Sequence, residues 1–305
     1  MLKKITIFGV GLIGGSFALA LKKAGAVETV IGVGRRIATL ERALALGIID
    51  SFSTSTAEAV KGTDLILIAT PVAQTAAILA AIKPHLEPGT VVTDAGSTKS
   101  DVVAAARAAL GEKIHQFVPA HPIAGREQNG PDAALADLYV AKKVVITPLP
   151  ENNQQVVETV AAAWRECGAI IHQLDPGQHD AVFAAVSHLP HLLAYALVND
   201  IASKPHAALL FQFAASGFRD FTRIAGSSPE MWRDITLANK QALLSELDSY
   251  TTQLAQLRAL LVSDDGAAIE AIYARAQQAR ENWINTIESG NQGSDKQKSI
   301  EQGGE

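Results

Sequence analysis

The chain has 305 residues, enough for two domains with a core each, and its 48% hydrophobic and 19% charged content is that of a globular protein rich in buried helix and strand. A formal net charge of −5 leaves no basic footprint for nucleic acid, and the one cysteine, Cys167, excludes an internal disulfide framework and a cysteine-rich metal site. The expectation is a cytoplasmic protein with no nucleic-acid, membrane or metal partner, in which Cys167 is a buried and inert thiol.

The first element is an apolar strand, ITIF, that feeds Gly9-x-Gly11-x-x-Gly14 directly into a helical pattern. Gly9 permits a tight turn, Gly11 removes the side chain that would block a pyrophosphate, and Gly14 lets helix and strand pack closely. Leu12 and Ile13 open the helix, whose N-terminus would face the phosphates. A second strand, TVIGV at 29–33, arrives at the spacing of a βαβ unit, so the run reads as a dinucleotide site. The competing reading is a secretory signal, since Lys3 and Lys4 precede the apolar stretch, but the glycines break it and no small-residue cleavage site follows cleanly. At the end of the second strand, where NAD sites carry a carboxylate for the ribose hydroxyl, the chain has Gly34-Arg35-Arg36. Two guanidiniums and no carboxylate favour NADP, with NAD possible as an alternative cofactor; the competing reading is a solvated basic helix start.

Further strands follow as DLILIA, TVVTDA, QFVPAH, KVVITP and AIIHQL, alternating with Ala-rich helical runs. Residues 64–82 are the one stretch that imitates a membrane span, and Thr70, Pro71, Gln74 and Thr75 interrupt it where a strand should end and a helix begin. The alternation predicts an α/β fold, a Rossmann-like and mostly parallel sheet over 1–174 with helices on both faces. An all-helical domain is expected over 175–288 and a disordered tail over 289–305. Ligands of such sheets lie at the carboxyl ends of the strands. Three motifs end there: ATPV at 69–72, with Thr70 and Pro71 beside the cofactor, DAGSTKS at 94–100, and AHPIAG at 120–125. Ser97 and His121 are therefore site candidates, Ser97 against the alternative of a helix N-cap.

The helical region opens with QHDAVFAAVSHLPHLLAYALV. On a regular helix Asp180, Ser187 and His191 fall within roughly 40° of one another, a polar stripe on an apolar helix that Pro190 is expected to kink. Asp180 has the competing role of favouring a helix N-terminus. In SGFRDFTRIAGSSPEMWRDI, Arg223 is a candidate carboxylate ligand, in competition with an ion pair to Asp220 one turn away.

Taken together, GVGLIGGS, ATPV, DAGSTK, HPIAG, HDAVFAAVSHLPH and GFRDFTRIAGSSPEMWRDI resemble, in order, the prephenate and arogenate dehydrogenase family of tyrosine biosynthesis, over about residues 1–288. The resemblance implies a helical C-terminal domain that forms a homodimer, an active site between the domains, and prephenate or arogenate as substrate. It implies that His121 is the catalytic histidine, Ser97 its hydrogen-bonding partner, Arg223 the clamp on a substrate carboxylate and His191 a further substrate contact. The implied reaction is oxidative decarboxylation: hydride leaves ring C4, CO₂ leaves C1 and the ring becomes aromatic. Two rivals share the features read so far. A β-hydroxyacid type dehydrogenase would use a lysine and asparagine, which Asn239-Lys240 could imitate, and a non-catalytic NADP-binding protein would leave His121 and Arg223 unexplained.

Overall fold

The computed structural model describes residues 1–126 and 128–301, with side chains described as far as residue 286. Six strands, β1 (Leu2–Phe8), β2 (Val27–Val33), β3 (Ser51–Phe52), β4 (Leu65–Ile68), β5 (Val91–Asp94) and β6 (Phe117–Val118), form a parallel sheet in the order β3-β2-β1-β4-β5-β6. Alternation along the strands divides their apolar residues between two cores. Ile5, Ile7, Leu65 and Leu67 join Phe17 and Leu21 of α1 (Leu12–Lys23), Leu40 of α2 (Ile37–Ala45) and Trp164, below, on one side. Phe8, Ile66 and Ile68 face the other side, where Val60 of α3 (Thr56–Val60), Leu79 of α4 (Thr75–Ile82) and Val103 of α5 (Ser100–Leu110) close over them. Trp164, from α6 (Gln154–Glu166), is wedged between Phe17 and Tyr139 at ring-centroid separations of 4.6 and 5.1 Å. Cys167 is buried, and burial pushes its thiol pKa far up, which keeps it protonated and unreactive.

The run QFVPAH was expected as one strand and is two. Pro119 has no N–H for the ladder, so the parallel sheet stops at Val118. The chain resumes as β7 (Ala120–Pro122), antiparallel to β8 (Lys143–Ile146), which pairs in parallel with β9 (Ile170–Gln173) in a separate three-stranded sheet. This break sets His121 just beyond the edge of the main sheet.

After β9 the chain is helical: α7 (Pro176–Phe183), a π-helical turn at Ala184–His188, α8 (Leu189–Ala202), α9 (Ala207–Gln212), α10 (Ser216–Thr222), α11 (Pro229–Ala238), α12 (Lys240–Val262) and α13 (Gly266–Glu301). Pro190 cannot donate to the carbonyl four residues back, and the turn ahead of it widens to π geometry. The kink expected at Pro190 takes this form. The segment with membrane-span character is also a different one. Residues 64–82 divide into β4, a 3₁₀ turn and α4, whereas Pro176–Ala202 is 27 residues of continuous helix with a hydropathy of 1.6 in its most apolar window. That helix buries His179, Asp180 and His188.

By compactness the chain divides into Met1–Glu246 and Leu247–Glu305. The second unit is helical and exposes Leu254, Leu261, Val262, Tyr273 and Trp283. Its last helix is traced to Glu301, into the stretch expected as a disordered tail, because an established helix extends one backbone bond at a time without apolar anchors. Residues 302–305 of that tail lie outside the described residues.

Candidate active site

The glycine loop shows why each of its glycines is needed. Gly9 has φ +95°, and a Cβ there would lie 2.5 Å from the Ala69 carbonyl oxygen. At Gly14 a Cβ would lie 2.3 Å from the Gly9 oxygen, so α1 could not start so close to β1. Gly11 is different: a Cβ would meet nothing within 4 Å, because this position opens into a cavity. Leu12 and Ile13 start α1 behind it, Leu12 in the core and Ile13 accepting from the Tyr139 hydroxyl at 2.6 Å.

The cavity measures about 630 Å³ and runs from Gly9 and Gly11 past Gly34, Arg35, Arg36 and Thr39, with Thr70 and Pro71 also in its wall. Several features fit a dinucleotide: backbone exposed at the glycine turn, a buried Thr70 hydroxyl with no protein partner, and two exposed arginines that form no ion pair among the described residues. No carboxylate lines this cavity among the described residues.

Beyond the strand ends, a chain of polar side chains runs inward from His121. Its Nδ1 lies 2.9 Å from Nε2 of His179, and Nδ1 of His179 lies 2.8 Å from Oδ1 of Asp180. The Asp180 carboxylate also accepts from the backbone N–H groups of Lys99 and Ser100, both at 2.8 Å, and so caps α5 from another helix. Burial alone would raise the Asp180 pKa, but these hydrogen bonds, led by that of His179, outweigh it and hold the carboxyl below its ordinary range. Beside it, the fully buried Lys99 ammonium pairs with Asp94 and donates to the Ala120 carbonyl at 2.8 Å; the other oxygen of Asp94 accepts from the Ala120 N–H at 3.1 Å. One buried ion pair thus ties β5 and the start of α5 to the residue before His121. The cluster comes close to the cofactor cleft: a Cβ on Gly96, in the loop after Asp94, would lie 2.9 Å from Val72, the residue after Pro71 of the cavity wall.

Burial pulls the His121 pKa well below its ordinary value, and the neighbouring Lys99 ammonium and the rings of His179 and His188, whose protonation would compete with its own, add to this. His179 and His191 are lowered by burial as well, and His188 is brought to about 4. His188 accepts at Nδ1 from the Asn239 side chain at 3.0 Å, and the same amide donates to the Asp180 carbonyl at 2.8 Å. His191 is stacked on Trp232 with centroids 3.5 Å apart and planes 18° from parallel, and its Nδ1–H donates to the Ser187 carbonyl at 2.8 Å. The Arg223 guanidinium is exposed at the end of α10, close enough to His191 to disfavour its protonation.

Several expectations change on this geometry. Ser97 is half-buried in the loop before α5, but among the described residues it makes no hydrogen bond to His121, whose engaged nitrogen meets His179 instead. The stripe of Asp180, Ser187 and His191 does not survive the π turn. Asp180 points inward to α5, and Ser187 serves His191 through its carbonyl rather than its hydroxyl. Asp220 pairs loosely with its neighbour Arg219 at 3.7 Å. Asn239 is a buried clamp and Lys240 is exposed, so these two do not form the lysine and asparagine pair of a β-hydroxyacid type site. Sequence reasoning missed His179, Lys99, Asp94, His188 and Trp232; an adjacent His-Asp on an otherwise apolar helix was the one local signal for the relay.

Comparison with known proteins agrees with this architecture. A family model described as prephenate dehydrogenase, nucleotide-binding domain, matches residues 17–173, and one described as prephenate dehydrogenase, dimerization domain, matches 175–274. The cyclohexadienyl dehydrogenase of Zymomonas mobilis is 36% identical over 280 residues, covering 91% of this chain and 95% of its own. The prephenate dehydrogenase of Bacillus subtilis is 36% identical over 279 residues, covering 91% of this chain and 75% of its own. Among solved structures, prephenate dehydrogenase from Aquifex aeolicus, in complex with hydroxyphenyl propionate and NAD+, superposes with a TM-score of 0.85 at 34% identity, covering 92% of this chain and 98% of that one. The chain belongs to the prephenate dehydrogenase family.

Proposed function

We propose that the protein is a homodimeric cytoplasmic enzyme that oxidises and decarboxylates prephenate, with NADP preferred over NAD. Gly9, Gly11, Arg35, Arg36 and Thr70 would hold a nicotinamide cofactor in the cleft, and that group would supply the acceptor for the hydride of ring C4. The chain's own residues do the rest. His121 takes the proton of the C4 hydroxyl as the carbonyl develops, a task suited to an imidazole kept neutral by burial. Arg223 holds a substrate carboxylate so that C4 is aimed at the cofactor, and His191, fixed on Trp232, lines the same side. Ser97 remains a candidate to orient substrate or cofactor from the loop after β5. Loss of CO₂ and aromatisation drive the step forward. The apolar side chains exposed on the helices, among them Phe211, Phe213, Leu261 and Trp283, suit a second copy of the chain, as the description of the matched helical family model suggests.

The observation that carries this reading is the placement of His121. It stands one residue beyond the Lys99–Asp94 anchor, its Nδ1 is engaged by His179, and its Nε2 is without a partner among the described residues. Arogenate is favoured as a second substrate by one detail. With Nδ1–H committed to Ser187, neutral His191 offers Nε2 only as an acceptor, which suits the ammonium group of arogenate; it can donate to a keto or carboxylate oxygen of prephenate only when protonated. The test is an absorbance assay of cofactor reduction with prephenate and arogenate, each with NADP and NAD. The expected order is prephenate with NADP first in kcat/KM and arogenate turned over more slowly; no turnover of either substrate would overturn the reading.

A further inference from the structure

The hydrogen-bond chain behind His121 has only one consistent arrangement of protons. Asp180 is ionised and accepts only, so Nδ1 of His179 carries a proton. His179 is fully buried and neutral, which leaves its Nε2 as a lone pair. Across the 2.9 Å contact, His121 must therefore donate from Nδ1, and its own Nε2 is bare. The ring is also fixed in orientation, with edge contacts to His179 and to Phe183 at centroid distances of 5.1 and 4.8 Å.

We infer that His179 and Asp180 are positioning residues that act through His121: they fix the tautomer with a bare Nε2 and stabilise the imidazolium formed when that nitrogen takes a proton. The inference rests on the reading of His121 as the base. In the step, the O–H bond of the substrate hydroxyl breaks and an N–H bond forms at Nε2, while the Nδ1 proton stays in its hydrogen bond to His179. The new positive charge then lies two hydrogen bonds from the Asp180 carboxylate. Opposing it is the Lys99 ammonium, itself offset by Asp94; His179 and His188, which also face His121, would oppose it only if protonated, and both are held neutral by burial. The anion at the end of the chain is what makes protonation of this half-buried ring accessible.

Three variants test this. His179→Phe keeps a ring of similar size and removes both nitrogens without touching the α5 cap. In Asp180→Asn the amide, turned to satisfy Ser100, donates toward His179, which inverts the proton order down the chain and places the His121 proton on Nε2. Each is expected to lower kcat by about 10- to 10³-fold with cofactor and substrate KM within about threefold. The acid limb of the kcat/KM profile should move to lower pH, because His121 loses the hydrogen bond that links it to the anion in His179→Phe and the anion itself in Asp180→Asn. In a His121→Asn background, His179→Phe should cost less than about a further twofold, since it would have nothing left to act through. Should Asp180→Asn unfold through loss of the α5 cap, His179→Phe alone decides. Effects that multiply in the double variant, or a His179→Phe enzyme with normal kcat and an unmoved limb, would overturn the relay while leaving His121 as base. A His121→Asn enzyme with normal kcat would overturn both.

Discussion

The cofactor cleft and the polar cluster beside it are built on opposite plans. The cleft is made mostly of backbone and absent side chains: Gly9, Gly11 and Gly14 lie within six positions of one another, and each is required by a local clash or opening. The cluster is made of side chains brought together from β5, the start of α5, β7, α7 and the junction of α11 and α12, with partners as far apart in sequence as Lys99 and Asp180. A backbone-built site tolerates exchange of the molecules it binds, whereas a network of buried donors and acceptors fixes one proton arrangement and one chemistry. The comparison therefore predicts separable effects: changes in the cleft act on cofactor choice, and changes in the cluster and the helices facing it act on substrate and on rate.

The largest effect on binding is expected at Arg223. Arg223→Ala should raise the substrate KM by the loss of about 2 to 5 kcal/mol of a charged contact, leaving the cofactor KM in place. Stability falling while KM holds would instead make Arg223 a structural residue, and an equal loss of cofactor affinity would break the separation of the two regions.

A slightly smaller effect tests the cluster through folding. Because burial brings His188 from 6.5 to about 4, the unfolded chain binds more protons between these values and stability falls as pH drops through them. The shift corresponds to a loss of about 3 kcal/mol, which is complete below pH 4 and absent above pH 6.5. His121, His179 and His191 are shifted in the same direction and add to it. Urea unfolding at pH 7 and pH 4 measures the drop, and His188→Gln, which keeps an acceptor for Asn239 but does not titrate, should reduce it.

The smallest expected effect belongs to the cleft. A double Arg35→Ala, Arg36→Ala variant should lose its preference for NADP by about tenfold or more, each phosphate contact contributing about 1.5 to 3 kcal/mol, with NAD turnover nearly unchanged. Equal loss with both cofactors would point to a folding role, and a wild-type enzyme that uses NAD more efficiently would remove the NADP reading.

The same contrast explains what could be read from the sequence. The strand–glycine–helix order is a local pattern, so the dinucleotide fold was legible in the first 33 residues. His121 could be singled out by its place at a strand end, although the run that carries it proved to be two strands in two sheets because Pro119 cannot extend a ladder. Lys99 reads as a solvated residue at a helix start, and nothing local says that it is buried against Asp94. Asp180 was read on a regular helix, but the π turn ahead of Pro190 shifts the faces of that helix, and its carboxylate turns to α5. Side-chain networks across 80 residues of sequence leave no periodic signature.

His121 is the group on which the proposed chemistry turns, as the receiver of the substrate proton. Steady-state kinetics of His121→Asn, with prephenate and NADP both saturating and cofactor binding measured separately, test it most directly. The expected result is a kcat lower by about 10² to 10⁴ with cofactor affinity unchanged. A variant with near-normal kcat would contradict the account.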